Sequence, residues 1–341
     1  MDGTLIRKKR KKWDAVEDAP DGTEGMPGEG APGRKKRKKW DTRNWTVFIV
    51  ATLGLLVVIV FHYLPMVGLL LGFKDADYSS NLLQVLLFGD WVGFDYFTAF
   101  LQDIDFWNVM ANTLIVNLIM LLINFPAPII FALILNEVRH KIFKKGIHVV
   151  TTFPHFISWA IYGGIIIALT DQTTGIMNPI LEAFGLSSDA DPVYLMDSDH
   201  IWAVIIISSV IKSVGWGSII YMAAISSIDP ELYEAAELDG VTRWQKAIYI
   251  TIPSIAPTIT VFLLLNIGRL LSNSFEQFNS LQNAVNLSRS DVLATFIYRV
   301  SFSSRRFGYG TAIGLFNSVI SLILLILSNF ISKKVAGRGL F

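Results

Sequence analysis

Asp229-Pro230-Glu231-Leu232-Tyr233-Glu234-Ala235-Ala236-Glu237-Leu238-Asp239-Gly240 opens a polar insert that runs on through Arg243-Trp244 to Ile250-Thr251-Ile252-Pro253. It separates two apolar spans in the second half of the chain. Local chemistry predicts two short helices around a glycine. Asp229 is a good N-cap, and Pro230 suits the first helical position, where its missing N–H costs nothing. Glu231 falls in the first turn, where the helix dipole favours negative charge. Residues 233–238 are mostly strong helix formers, and Gly240 can take the left-handed conformation that ends a helix. Thr242 can cap a second helix, which Pro253 and Pro257 are expected to stop or kink. Acidic residues and an open turn are costly in hydrocarbon. The insert is therefore expected at a membrane surface, either as a rigid bracket shaped for a partner or as an ordinary solvated loop helix.

Working outward, the composition points to an integral membrane protein. Of 341 residues, 52% are hydrophobic and 17% charged, against about a quarter charged in a typical soluble domain. Mean hydropathy is +0.48. There is no cysteine, so disulfide and thiol chemistry do not enter. Six apolar runs, at 45–64, 109–135, 149–169, 201–225, 254–271 and 311–332, each approach the ~20 residues a helix needs to cross a bilayer. The second is expected to kink at Pro126 and Pro128. The predicted fold class is all-α, a polytopic membrane protein of six transmembrane helices.

Charge gives the topology. Thirteen of the 29 Lys and Arg precede Trp45. There Arg7-Lys8-Lys9-Arg10-Lys11-Lys12-Trp13-Asp14 recurs as Arg34-Lys35-Lys36-Arg37-Lys38-Lys39-Trp40-Asp41, around a Gly/Pro/acid-rich stretch. Residues 1–44 are expected to be a disordered basic tail followed by a transmembrane domain over 45–341. A basic cluster just before an apolar run reads as a topology signal that also attracts anionic lipid, rather than as a nucleic-acid site. The apolar run begins too far in for a cleaved signal peptide and reads as an uncleaved anchor. The tail, 139–145 and 333–338 form one basic set. Loop 65–108 carries only Lys74, and 170–199 has no Lys or Arg. Both termini and the insert are thus expected in the cytoplasm. Loop 272–310 disagrees, because it falls outside by parity yet carries Arg289, Arg299, Arg305 and Arg306.

Catalytic and metal chemistry find little support. No Gly-rich loop followed by Lys-Ser or Lys-Thr is present to cradle ATP. His62, His140, His148, His155 and His200 are scattered without metal-ligand spacing. No nucleophile–base arrangement is visible.

Glu234-Ala235-Ala236, with Gly240 after three residues, Ile250 nine later, then Ile252-Pro253, resembles the EAA loop of ABC-importer permeases. That family's pattern ends in Leu-Pro, so Ile252 departs mildly. The likeness extends through Trp91-Val92-Gly93-Phe94-Asp95-Tyr96-Phe97, Phe106-Trp107-Asn108 and Asn112-Thr113. Phe153-Pro154-His155-Phe156-Ile157-Ser158-Trp159, Val214-Gly215-Trp216-Gly217, Phe275-Glu276-Gln277, Ala312-Ile313-Gly314-Leu315-Phe316 and Gly339-Leu340-Phe341 are similar to segments of the branch that imports oligosaccharides and polysaccharide fragments. The resemblance implies a type I importer permease fold in a prokaryotic plasma membrane. It implies a second permease, a different chain, as partner. It also implies two ABC ATPase subunits that use ATP and Mg, with no cofactor on this chain, and an extracytoplasmic solute-binding protein that delivers a carbohydrate. It further implies that Glu234, Ala235, Ala236, Asp239, Gly240, Ile250 and Pro253 form the ATPase-coupling element. Glu234 would make a polar contact in the ATPase groove, Ala235 and Ala236 would keep the approach close, Gly240 would allow the turn, and Pro253 would fix where the second helix meets the membrane.

A sugar path needs hydroxyl-binding groups and aromatic faces at membrane depth. Ser209, Lys212, Ser213 and Trp216 share one face of the fourth run by their three-four-seven spacing, and Asn266, Arg269 and Asn273 do so on the fifth. Asn317 and Ser321 are four apart on the sixth. The alternative is that Ser and Asn only bond neighbouring helices, and that Lys212 and Arg269 pair with a carboxylate or snorkel. Competing functions are an ABC permease for a non-sugar solute and a secondary transporter. The latter is opposed by spans without Asp or Glu for ion coupling. A membrane enzyme lacks any catalytic cluster.

Overall fold

The computed structural model describes residues 42–79, 81–188, 192–271 and 275–336. The expected disorder of the basic tail, Asn273 and the closing 339–341 lie outside the described residues. Among the described residues the chain is helical without strands, and bridges pair only Lys74 with Trp91 and Asp77 with Arg306.

Two compact units are distinguished, residues 1–60 and 61–341. In the first, helix α1 (Thr42–Val58) carries exposed Phe48, Val50 and Leu53, as a lipid-facing helix does. The second unit contains α2 (Phe106–Asn124), α3 (Pro126–Glu137), α4 (Lys141–Thr152), α5 (Trp159–Thr170) and α6 (Ile201–Ser226). It continues with α7 (Pro230–Leu238), α8 (Arg243–Lys246), α9 (Ile252–Gly268), α10 (Phe275–Leu281), α11 (Leu293–Tyr298) and α12 (Phe307–Ala336). Trp45–Phe73, Phe106–Glu137, Ile201–Ser226, Arg243–Gly268 and Phe307–Lys334 are long and apolar enough to cross a membrane. A bent pair brings the number to six if it counts as one span.

That pair covers the third apolar run expected at 149–169 and shows it to be bent. Lys141–Phe156 and Trp159–Thr170 meet at 103°. Pro154 lies in the 3-10 turn that ends the first piece. Ser158 then turns extended, and its hydroxyl accepts from the Ile161 N–H at 3.4 Å, capping α5. At Pro126, a turn at Phe125 separates α2 from α3 without ending the span. Pro126 takes the first position of α3 after Phe125, which keeps helical backbone angles, and the chain continues as one span.

Helix α6 is the central element. Its Ile201, Ile205 and Ile206 pack with Val116 and Met120 of α2, Ile166 of α5, and Phe278 and Leu281 of α10. Its other end, Tyr221 and Ile225, packs with Ile129 and Ala132 of α3 and Ile255 of α9. Within a bilayer apolar contact alone gains little over lipid, so close approach and hydrogen bonds hold such helices together. Gly215 shows the closeness: a Cβ there would lie 2.3 Å from the Thr151 carbonyl oxygen. Two buried amides on α2 add long-range bonds, Asn112 to Ser288 O (2.8 Å) and Asn117 to Leu270 O (2.6 Å).

Two of the four discordant arginines of loop 272–310, Arg299 and Arg306, have counter-charges, and the Arg289 guanidinium lies 5.3 Å from the centre of the Trp202 ring. Arg306 Nε donates to Asp77 Oδ2 at 3.0 Å, and its guanidinium lies 4.0 Å from the centre of the Tyr309 ring. Arg299 pairs with buried Asp291 at 2.5 Å and lies 3.7 Å from Asp105. Arg305, exposed at φ 55°, offers its carbonyl to the Tyr78 N–H at 2.7 Å.

Candidate functional site: the bracket and the inter-helix cavity

The insert forms the two helices that its sequence predicts. The Asp229 carboxylate accepts from the Glu231 N–H at 3.0 Å and starts α7. Gly240, at φ 70°, ends it. Val241 N–H then reaches Ala236 O (3.0 Å) and Gly240 N–H reaches Glu237 O (3.2 Å), the paired bonds of a Schellman turn. Thr242 and Gln245 cap α8 reciprocally. Lys246 Nζ bonds Glu237 Oε1 at 2.6 Å across the turn. That bond holds the Glu237 carboxyl below its usual range. Tyr233 and Thr251 hydroxyls meet at 2.8 Å and tie α7 to the start of α9.

Two expectations for the insert change. Neither Pro253 nor Pro257 stops the second helix. Ala247–Thr251 form a π turn, and the helix continues through Ile252 and Pro253 to Gly268. The wider turn accommodates a residue that has no N–H to donate. Ala236 is buried at 6% exposure, whereas Glu234, Ala235, Asp239 and Gly240 are exposed. Ala236 thus seats α7 on its own chain, and only Ala235 of the pair lies on the free side. Ile250 is half-buried in the π turn and Pro253 exposed. Leu238, Trp244 and Tyr249 add exposed apolar surface, at 92, 77 and 74%.

A cavity of about 300 Å³ opens between α2, α3, α6 and α9. Four residues expected on a sugar path line it: Ser209, Ser213, Trp216 and Asn266. Lys212, Arg269 and Asn317 do not. Lys212 is buried, and its ammonium is turned to the break between α4 and α5. Arg269 is exposed at the end of α9. Asn317 is half-buried on α12, its Oδ1 without a hydrogen-bond partner, and Asn273 lies outside the described residues.

The sequence reading missed Asn117 and Asn124 of α2, together with Phe125, Tyr221 and Phe262, which also line the cavity. Asn124 Nδ2 donates to Ser209 Oγ at 2.8 Å, and Ser213 Oγ donates to Ser209 O at 2.7 Å. Asn266 Nδ2 donates to Phe262 O at 2.8 Å. The signal for the two amides was their seven-residue spacing inside an apolar run, which places both on one helix face. Among the described residues the lining contains no charged side chain. It offers amide and hydroxyl groups beside aromatic faces, which suits hydroxyl-bearing groups.

Comparison with known proteins agrees with this architecture. The family model described as "Binding-protein-dependent transport system inner membrane component" matches residues 108–337. Protein LplB of Bacillus subtilis (strain 168) is 38% identical over 300 residues, spanning 88% of this chain and 92% of its own. The polygalacturonan/rhamnogalacturonan transport system permease protein YteP of the same organism is 34% identical over 288 residues, 84% of this chain and 88% of that one. A chain of a bacterial ABC transporter involved in import of the acidic polysaccharide alginate superposes with a TM-score of 0.77 at 34% identity, covering 86% of this chain and 97% of that one. The helical architecture and these matches together place the chain in the family of inner membrane components of binding-protein-dependent transport systems, as a multi-pass permease subunit of an ABC importer.

Proposed function

We propose that this permease imports an oligosaccharide or related carbohydrate handed over by an extracytoplasmic solute-binding protein. It pairs with a second, different permease chain and is driven by two ATPase subunits that use ATP and Mg. The single observation that supports the substrate class best is the cavity, whose lining combines amide and hydroxyl groups with Phe125, Trp216, Tyr221 and Phe262. Relatives named for polygalacturonan transport and alginate import support it further. The neighbouring structure holding an alginate pentasaccharide-bound periplasmic protein supports delivery by such a partner.

The bracket is the proposed ATPase contact. Glu234 makes a polar contact in the ATPase groove, and Ala235 and Gly240 permit close approach. Asp239 and the exposed Leu238 and Trp244 extend the surface, while Ala236, Ile250 and Pro253 fix its seating. Both termini and the bracket lie in the cytoplasm, the orientation that positive charge favours. The basic tail contacts anionic lipid and not nucleic acid.

The test is co-purification of the tagged chain from its membrane in mild detergent, beside Glu234→Lys, with recovered chains identified by mass. Recovery of an ATP-binding subunit and a second permease by the normal chain, with the ATPase yield reduced several-fold by charge reversal, is the expected result. A normal chain that comes down alone and still moves solute in liposomes would sink the proposal.

A further inference from the structure

Lys212 sits within a membrane span at 6% exposure, yet no carboxylate pairs with it among the described residues. Its Nζ donates instead to backbone carbonyls: Pro154 O at 3.0 Å, His155 O at 3.3 Å, and Ile157 O. Three acceptors match the three N–H groups of an ammonium; a neutral amine has only two. The acceptors also lie at the C-terminal end of the first half of the broken span, where the helix dipole is negative; Pro154 O additionally accepts from the Ile157 N–H at 3.3 Å. The Trp159 and Tyr162 rings lie 5.1 and 5.4 Å from the same nitrogen. The tether thus compensates the cation and the broken helix end together.

One of the three clamped residues touches a residue of the cavity wall. The His155 ring stacks on Trp216 with centroids 4.6 Å apart and planes 2° from parallel, and Phe156 meets the same indole edge-on at 5.7 Å. Trp216 lines the cavity. Lys212 and Trp216 are four apart on α6, so the clamp returns through a second element to the helix it starts from. We infer that Lys212 is a positioning residue for saccharide recognition: by clamping the α4–α5 break it sets His155 and Phe156 against Trp216 and holds the indole as a fixed platform in the cavity. The inference rests on the cavity being the sugar path. It also means that the Lys212 charge is spent on carbonyls and is not offered to an acidic sugar.

The test is fluorine NMR of the full chain in its purified complex, labelled with 5-fluorotryptophan, with the Trp216 resonance identified by Trp216→Phe. Lys212→Met is expected to shift and broaden the Trp216 and Trp159 resonances while leaving Trp45 and Trp107 in place. Lys212→Arg, which keeps a cation with donors, is expected to restore them toward the normal positions. His155→Ala, which removes the stack and leaves the clamp, is expected to move Trp216 alone, and it serves if Lys212→Met does not assemble. A Trp216 resonance unmoved by Lys212→Met, or by His155→Ala, overturns the inference. A pectin oligosaccharide digest, added as the saccharide probe, tests the underlying reading separately. Its binding is expected to move Trp216 in the normal chain and about tenfold more weakly in Lys212→Met, equivalent to ~1.4 kcal/mol. If the digest and a xylan digest both leave Trp216 unmoved while Lys212→Met still moves it, the clamp stands and the sugar path fails.

Discussion

Gly240 and Asp171 carry their local structure almost single-handedly. At φ 70° a Cβ on Gly240 has open space but an unfavourable backbone, and the left-handed conformation costs an L-residue about 1–2 kcal/mol. Gly240→Ala is therefore expected to loosen the Schellman turn, with amide exchange at Val241 faster by roughly tenfold; unchanged exchange would contradict this. Asp171 closes the turn after α5. Its Oδ1 accepts from the Thr174 and Thr173 N–H groups at 2.8 and 3.0 Å and from both hydroxyls. These bonds, led by the Thr174 N–H, hold its carboxyl down at about 2, against an ordinary 3.8. A depressed folded value stabilises the turn above the ordinary one. That contribution is expected to fade as pH falls from 3.8 toward 2. Thr173 and Thr174 amide exchange should accelerate over that window, and should show no such dependence in Asp171→Asn. The caps Asp229, Thr242 and Gly240 were legible because each acts on its own neighbours in sequence. Lys212 was not: spacing placed it beside Ser209 and Ser213, but the carbonyls that attract it belong to residues 55 to 58 positions away.

Among the elements, the broken third span and the α4–α6 contact differ most from a simple count of apolar runs. Pro154 and Ser158 announce the break, since one lacks a donor and the other caps a new helix. Hydropathy hides it, because a window over 149–169 averages across both pieces. The contact depends on Gly215. An added methyl meets backbone at 2.3 Å and cannot be accommodated by a rotamer change. Gly215→Ala is expected to push α4 from α6 and to cost about 1–3 kcal/mol, seen as a lower melting temperature in detergent. An unchanged melt would mean that the helices shift apart freely. Ser209, Ser213 and Trp216 were legible as one helix face, whereas which elements cover that face is a tertiary fact. The amides Asn117 and Asn124, on a helix distant in sequence, escaped for that reason.

For the whole molecule, apolar surface remains exposed on every crossing helix, as in Leu122, Ile207 and Leu322, which suits lipid or a partner permease. The family resemblance and the spans were readable from sequence because bilayer thickness and the bracket leave strong signals. Pairing of Arg306 with Asp77 was not, because 229 positions separate them. Deleting residues 1–39 is expected to leave transport by the assembled complex largely intact while lowering the fraction inserted in the correct orientation. Accessibility labelling of the terminus and uptake in the same cells check both. Complete loss of transport with normal insertion would give the tail a role beyond lipid contact.

The unbroken passage from α8 through the π turn into α9 has a mechanical consequence. Arg243–Gly268 is a single shaft of 26 residues, roughly 39 Å long at 1.5 Å per residue. Exposed Trp244 sits at one tip, and Asn266 forms part of the cavity wall near the other. A tilt of about 5° about one tip swings the other by roughly 3 Å over that length. A displacement at the Trp244 end thus reaches the cavity wall along one continuous helix, in which the π turn and Pro257 are the points able to bend.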